Sequence, residues 1–322
     1  MWNFPFLPDQ ASEQANQVDG VMYVLLAVTA FFTVLIAGQV IFFGIKYRAG
    51  SKANRSGRKS TSHNLEAFWI GSTFIICVVM YIISTHVFFQ MYNPPADASE
   101  IYVVAKRWMW YLQHPEGRRE QDELHVPLGK AIKLVMTSQD VIHSFYVPAF
   151  RVKQDVLPGR TTALWFRPTK AGAYNLFCAE YCGSDHSRMI GTVYVMEPSD
   201  YERWLTGGPE SGGRVSMASA GEQLFQKNHC SDCHSPAGQP NRGPTLVGLH
   251  GGNAPIQQKG GSVSMVKADD AYIRESILDP RAKLVAGFEP IMPSFKDQIS
   301  EQDLFQIIAY IKSLGKGQEG GR

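Results

Sequence analysis

The chain reads as a three-part membrane protein: a two-helix membrane hairpin, an all-β domain and a small all-α domain at the C-terminus. Three observations point there. Two long apolar runs lie before residue 93. Between residues 101 and 196, short β-branched and aromatic segments alternate with turn signals. After residue 218, a C-x-x-C-H motif is followed by an amphipathic C-terminal helix. A length of 322 residues suffices for two or three domains, and a net charge of +2 gives no case for nucleic-acid binding.

Residues 1–92 form the first unit. Residues 1–20 are polar, with Asp9, Glu13 and Asp19 and no Lys or Arg, so they lack the basic start of a secretory signal. Spans are expected at about 21–45 and 67–91, each long enough for ~30 Å of hydrocarbon. The loop between them carries Lys46, Arg48, Lys52, Arg55, Arg58 and Lys59, with no acidic residue before Glu66. Positive charge on a short loop predicts a cytoplasmic location, which places both termini and everything after residue 93 on the outer face. Trp69, Phe88, Phe89 and Tyr92 sit where interfacial anchors belong. Cys77 falls in an apolar run and is expected to be a buried, unreactive thiol.

Residues 93–200 form the second unit. Ile101–Val104, Ala131–Met136, Thr161–Phe166, Ala173–Phe177 and Gly191–Met196 read as strands, separated by Pro127-Leu-Gly, Pro158-Gly and Lys170-Ala-Gly turns. Trp108 and Trp110 alternate with the strand period and should share a face, at least one of them as core packing.

The stretch Cys178-Ala-Glu-Tyr-Cys-Gly-Ser-Asp-His-Ser-Arg-Met189 carries the chemistry. Soft sulfur with imidazole suits copper in an electron-transfer site. One copper needs one Cys and two His, but here Cys178 and Cys182 are both present, so two coppers bridged by both sulfurs is the better reading. His186 serves one ion, and His143 in Asp-Val-Ile-His is expected to serve the other. The Glu180 carbonyl and Met189 are the weak axial donors. A disulfide or an idle Cys pair is the bland alternative. A lone C-x-x-x-C would be weak, but the added His and Met sharpen it. The ligands are expected in the connections between strands. Copper chemistry on an all-β domain indicates a cupredoxin fold.

Residues 201–217, with Gly207-Gly-Pro-Glu-Ser-Gly-Gly213, read as a flexible linker. Residues 218–322 form the third unit. Cys230-Ser-Asp-Cys233-His234 is the attachment motif of c-type haem, with two thioether cysteines and an iron-ligating His. Taken alone the motif also fits zinc or redox sites. Gly243-Pro244 follows where small class I cytochromes c have a similar turn, and Met292 in a Met-Pro context is the expected sixth ligand, ahead of Met265 and Met217. Ser300 should cap the last helix and Gly315 should end it, with a disordered tail from residue 317.

The copper loop, with Asp140-Val-Ile-His-Ser-Phe145, Pro158-Gly-Arg160 and Trp108-Met-Trp-Tyr111, resembles subunit II of the haem-copper cytochrome c oxidases of the copper A type. With the C-terminal domain added, the chain is similar to subunits II that carry a fused cytochrome c (caa-type). The resemblance implies a cupredoxin domain with a binuclear copper A centre and a class I cytochrome c domain with covalent haem c. It implies electron input at Trp108, and Glu66 at the mouth of a proton-uptake channel. It also implies a magnesium ion bound by the Glu180 side chain at the border with subunit I. The implied partners are subunit I, subunit III, membrane lipid and an external donor such as a cytochrome c or a quinol-oxidising complex. The implied location is the bacterial inner membrane. Oxygen reduction with proton pumping belongs to subunit I, because His86 is the only His inside either span. Two rivals share part of this pattern: the electron-input subunit of a copper A nitric oxide reductase, and a non-enzymatic copper delivery protein.

Overall fold

The structure is a computed structural model that describes residues 7–55, 63–207, 215–258 and 261–315. Arg58, Lys59, most of the glycine-rich stretch and the tail from residue 317 lie outside the described residues.

Two helices open the chain: α1 (Glu13–Lys46) and α2 (His63–Tyr92). Both are long and apolar enough to cross a membrane. Phe31, Ile41, Phe74 and Ile82 stand exposed on them, a surface that lipid tolerates and water does not. Cys77 is also exposed on α2, which corrects the expectation of a thiol packed inside protein. Among the described residues none packs a core over that flank of α2.

α1 starts earlier than its apolar run. Ser12 caps it by accepting a hydrogen bond from Ala15 N–H at 3.0 Å. Its first turns do not project freely. Ala11, Ser12, Gln14, Ala15 and Asp19 are buried against the β domain. The Ser12 hydroxyl donates to the Phe150 carbonyl at 2.8 Å. The Arg151 guanidinium grips both oxygens of Asp19 at 2.9 Å. Asn93-Pro-Pro ends α2, since proline cannot continue a helix. The Trp165 indole donates to the Gln90 carbonyl at 3.1 Å, tying the end of α2 to the sheet.

Ten strands follow: β1 (Ser99–Lys106), β2 (Met109–Gln113), β3 (Arg119–Gln121), β4 (Glu123–Pro127) and β5 (Ile132–Ser138), then β6 (His143–Val147), β7 (Val152–Val156), β8 (Thr162–Phe166), β9 (Gly172–Cys178) and β10 (Ile190–Met196). They form two five-stranded sheets, ordered β3-β2-β1-β5-β8 and β4-β10-β9-β6-β7. The five strands expected from sequence are all present. The inward faces follow period 2: Ile101, Val103 and Ala105 of β1 and Ile132, Leu134 and Met136 of β5 enter the core between the sheets. Tyr102, Val104 and Val135 point to the opposite face.

α3 (Pro198–Thr206) follows β10 and packs Tyr201 and Leu205 inward, so the stretch read as linker begins inside a helix. Trp204 stacks on the His125 ring, with centroids 4.4 Å apart. Glu120 joins His125 and the fully buried His114, whose Nε2 lies 2.6 Å from its carboxylate.

The last unit contains α4 (Met217–Lys227), a β11 (Asn253–Gln257) to β12 (Val263–Lys267) hairpin, α5 (Asp270–Leu278) and α6 (Glu301–Ser313). The hairpin is a departure from the expected all-α domain. Ser300 caps α6 by accepting from Asp303 N–H at 3.1 Å. α4 and α6 cross at Gly221, where a Cβ would lie 1.9 Å from the Gln306 carbonyl oxygen. Only glycine allows that approach.

Candidate metal centre and haem pocket

The copper-loop residues meet at one end of the sandwich. β6 delivers His143 and β9 delivers Cys178. His143 is the first residue of β6, not part of a connection as expected. The strand geometry fixes its backbone while the ring reaches the loop. The chain then turns through Glu180, Cys182 and a short 3-10 turn at His186–Arg188 to Met189. Cys178, Cys182, Met189 and His143 are all buried.

The donor atoms converge. The two Sγ atoms are 3.8 Å apart and remain free thiols. Cys178 Sγ lies 3.9 Å from His143 Nδ1 and 3.2 Å from the Glu180 carbonyl oxygen. Cys182 Sγ lies 3.4 Å from His186 Nδ1 and 3.8 Å from Met189 Sδ. Each sulfur therefore has its own imidazole and its own weak donor, and the sulfurs share an edge. That donor set fits two soft metal ions, one at each end of the thiolate pair.

Electrostatics prepare the site. Burial raises the Cys178 thiol, but hydrogen bonds from His143 and from backbone outweigh it and bring the pKa down to about 7. Burial and the neighbouring Cys178 push Cys182 up to about 12. His143 Nε2–H donates to Asp140 Oδ1 at 2.9 Å, which leaves Nδ1 open toward the sulfurs. Burial works to raise the Asp140 carboxyl, but Arg107, His143 and Val141 outweigh it and hold it well below the usual range.

Trp108 lies in the β1–β2 turn, half-buried on the sandwich core that also contains Trp110. Its indole covers the copper loop at Gly183, where a Cβ would come within 3.3 Å of the ring. Trp110 is fully buried and meets the His143 ring edge-on at 6.1 Å. Glu180 turns its side chain outward, exposed. Glu66 is exposed in the first turn of α2, 3.8 Å from His63 Nδ1. Asp140 and Gly183 carry structural duties that the sequence reading did not assign. An Asp three residues before the motif histidine, His143, in a tight turn is the signal that points to the first.

The haem motif sits on a 3-10 turn after α4, at Cys230–Asp232. Cys230, Cys233, His234 and Met292 line one cavity of about 490 Å³, walled also by Phe225, Ile307 and Ile311. His234 Nδ1–H donates to the Pro244 carbonyl at 2.9 Å, leaving Nε2 for a metal. Gly243 N–H donates to the Cys233 carbonyl at 2.9 Å, and a Cβ on Gly243 would fall 2.6 Å from His234 Cε1. Phe295 N–H and the Ser294 hydroxyl bond the carbonyls of Ile277 and Leu278, which anchors the loop carrying Met292. An apolar cavity with two thiols, an oriented imidazole and a thioether on its lining fits a covalent haem. Met217 is buried away from this cavity and Met265 is exposed on β12.

A membrane-anchored redox protein, with a two-thiolate soft-metal site and a c-type cytochrome domain, is what this fold and these sites define. Residues 102–196 match the family profile of the cytochrome c oxidase subunit II periplasmic domain, and residues 218–315 match that of cytochrome c. The chain belongs to the cytochrome c oxidase subunit II family, and it is an oxidoreductase subunit. It is 30% identical over 252 residues to cytochrome c oxidase subunit 2 of Thermostichus vulcanus, covering 62% of this chain and 77% of that one. Against the Alkalihalophilus pseudofirmus subunit 2, identity is 25% over 317 residues, covering 95% of this chain and 90% of the relative. The solved periplasmic domain of Bradyrhizobium japonicum subunit II is 32% identical, covering 35% of this chain and 94% of that one at a TM-score of 0.34. The family implies copper, and the cytochrome c domain implies haem c.

Proposed function

We propose that this chain is the electron-input subunit of a respiratory terminal oxidase. An external one-electron donor, a cytochrome c or a quinol-oxidising complex, delivers electrons that pass through this chain to subunit I, where oxygen becomes water and protons are pumped. Subunit III and membrane lipid complete the surroundings. The observation that carries the reading is the convergence of Cys178, Cys182, His143, His186, Met189 and the Glu180 carbonyl.

When bound, haem c and a binuclear copper A centre supply one-electron carriers. The chain's own residues do the rest. Cys230 and Cys233 tether the haem, and His234 and Met292 ligate it. Pro244 fixes the tautomer of His234. Asp140 does the same for His143, and the buried setting of the two thiols keeps water from the copper ligands. The rigid sandwich holds these donors in place, so little has to rearrange when an electron arrives. Trp108, lying on the copper loop, is the electron-input residue from outside the domain. Glu66 marks the proton-uptake mouth, and the outward carboxylate of Glu180 serves a magnesium ion shared with subunit I. Residues 93–200 form the copper domain, 201–217 the junction, which takes in the second half of α3, and 218–322 the haem domain. The membrane is the bacterial inner membrane, the basic loop is cytoplasmic, and both termini lie on the outer side with the copper and haem domains.

Electron paramagnetic resonance on the oxidised, copper-loaded full chain tests this. One unpaired electron shared by two equivalent copper nuclei is expected, and Cys182→Ser should abolish that signal. A single-copper spectrum in the wild type would reject the binuclear site. Oxygen turnover is expected from the purified complex, and nitric oxide turnover in its place would reject the oxidase.

A further inference from the structure

α6 has two opposite working faces. Ile307 and Ile311 line the haem cavity. Phe305, Ala309 and Lys312 follow the i, i+4, i+7 spacing of one stripe, roughly half a turn away around the helix. That second stripe meets the outer face of the β1–β2–β5 sheet. Phe305 packs with Tyr102, Val104, Val135 and Met217 in a buried cluster, which Tyr111 and Ala309 border. The Phe305 and Tyr102 rings stand 5.1 Å apart. Gln306 donates to Gln113 at 3.2 Å across the same seam. Lys312 reaches Glu100 of β1 at 2.6 Å and Asp270 of α5 at 3.2 Å, and Glu100 also takes Lys133 of β5 at 2.9 Å.

The seam extends to the start of the haem domain. Met217 N–H donates to the Pro115 carbonyl at 3.0 Å, and Gly117 lies so close to Val215 that a Cβ would fall 2.3 Å from its carbonyl oxygen. An outer sheet face covered this way differs from a tethered domain that swings in solution. Apolar side chains at the centre and a half-buried ion cluster at the edge are the anatomy of a lasting interface.

We propose that the haem domain works as a docked module, held by α6 against the copper domain, with Lys312 as its anchoring charge and the Phe305–Tyr102 contact at the centre of the seam. The inference rests on the electron-input reading above. With haem and copper bound, one electron would pass from ferrous haem, left ferric, to the copper held by the Cys178–Met189 loop; no atom or proton would move, and the external one-electron donor would restore the haem. Tyr102 serves the seam by packing: its hydroxyl donates to Glu100 at 3.2 Å, and burial raises its ionisation far above neutral pH. Docking by the α6 face leaves the other walls of the haem cavity for the donor. The chain's own haem domain therefore bears on Tyr102, and Trp108 keeps its place over the copper loop.

Hydroxyl-radical footprinting of the full chain in detergent, with haem and copper bound, tests this. Tyr102 should oxidise about tenfold more slowly than Tyr181, in keeping with exposures of 5% and 76%. Met217 should be protected relative to Met265 in the same way, from exposures of 1% and 63%. Lys312→Glu sets three carboxylates together, and should expose Tyr102 and Met217 and slow electron transfer from photoreduced haem to copper. A Tyr102 that oxidises as fast as Tyr181 in the wild type would overturn the docking, and this needs no variant. Haem absorbance and copper resonance are recorded on the same samples. Their absence would sink the electron-input reading, whereas their presence with an open Tyr102 sinks the docking alone.

Discussion

Asp140 ties His143 to the turn that carries Trp108. One carboxylate oxygen accepts from His143 Nε2–H at 2.9 Å, and the other accepts from the Arg107 backbone N–H at 2.8 Å and its Nε at 3.2 Å. The His143 imidazole and the turn that carries Trp108 are thus fixed by one side chain. Asp140→Ala should free the His143 ring and weaken copper binding by about 10- to 100-fold. Competition with a copper chelator measures it. Unchanged affinity would remove Asp140 from the site.

The copper-free thiols should titrate separately. Cys178 is brought down to about 7 while Cys182 is pushed up to about 12. At pH 8 the pair therefore holds one thiolate and one thiol. Thiolate absorbance of the haem-loaded, copper-free protein should rise with a midpoint near 7, and copper uptake should slow below it, because metals bind the thiolate. A first midpoint near the ordinary thiol value would contradict this.

Gly243→Ala places a Cβ where His234 already stands. The imidazole must shift away from the Pro244 carbonyl, at a cost of about 1–3 kcal/mol. A lower thermal midpoint for the haem domain and a disturbed haem spectrum are expected, with the copper spectrum unchanged.

Met292→Ala should lower the haem potential by on the order of 0.1 V, since loss of a thioether ligand favours the ferric state. Redox titration checks it. An unchanged potential would pass the axial role to another residue.

The docked interface should be acid-sensitive. Burial works to raise Glu100, but Lys312 and Lys133 outweigh it and hold the carboxyl below its ordinary value. A depressed carboxyl stabilises the folded arrangement fully above its unfolded pKa and loses that contribution as pH falls through the folded value. Protection of Tyr102 should therefore persist at pH 6 and fade below the usual carboxylate range of about 4. Protection that vanished on raising the pH instead would reverse the sign.

Local patterns carried much of this architecture. Ile101 to Val104 and Gly191 to Met196 read as strands because β-branched residues fill a pleated surface, and Ser300 capped α6 as expected. The copper loop was legible because four of its donor side chains lie within twelve residues. Other strands were harder. β3 is Arg119-Glu-Gln121, with no apolar pattern, and exists because β2 offers it an edge. Long-range partners had no local signature either. Nothing near Glu120 announces that it will be shared by His114 and His125, and nothing near Phe305 names Tyr102. Such pairings are decided by the assembled sheets.

The first turns of α1 are pinned through Asp19 and Arg151, and the end of α2 is pinned through Gln90 and Trp165. The sandwich is thus tied directly to both helices. A spanning helix answers a thinner or thicker bilayer by tilting. Through these ties a tilt would reach the sandwich and the Cys178–Met189 loop, so bilayer thickness becomes a variable to which the attitude of that loop should respond.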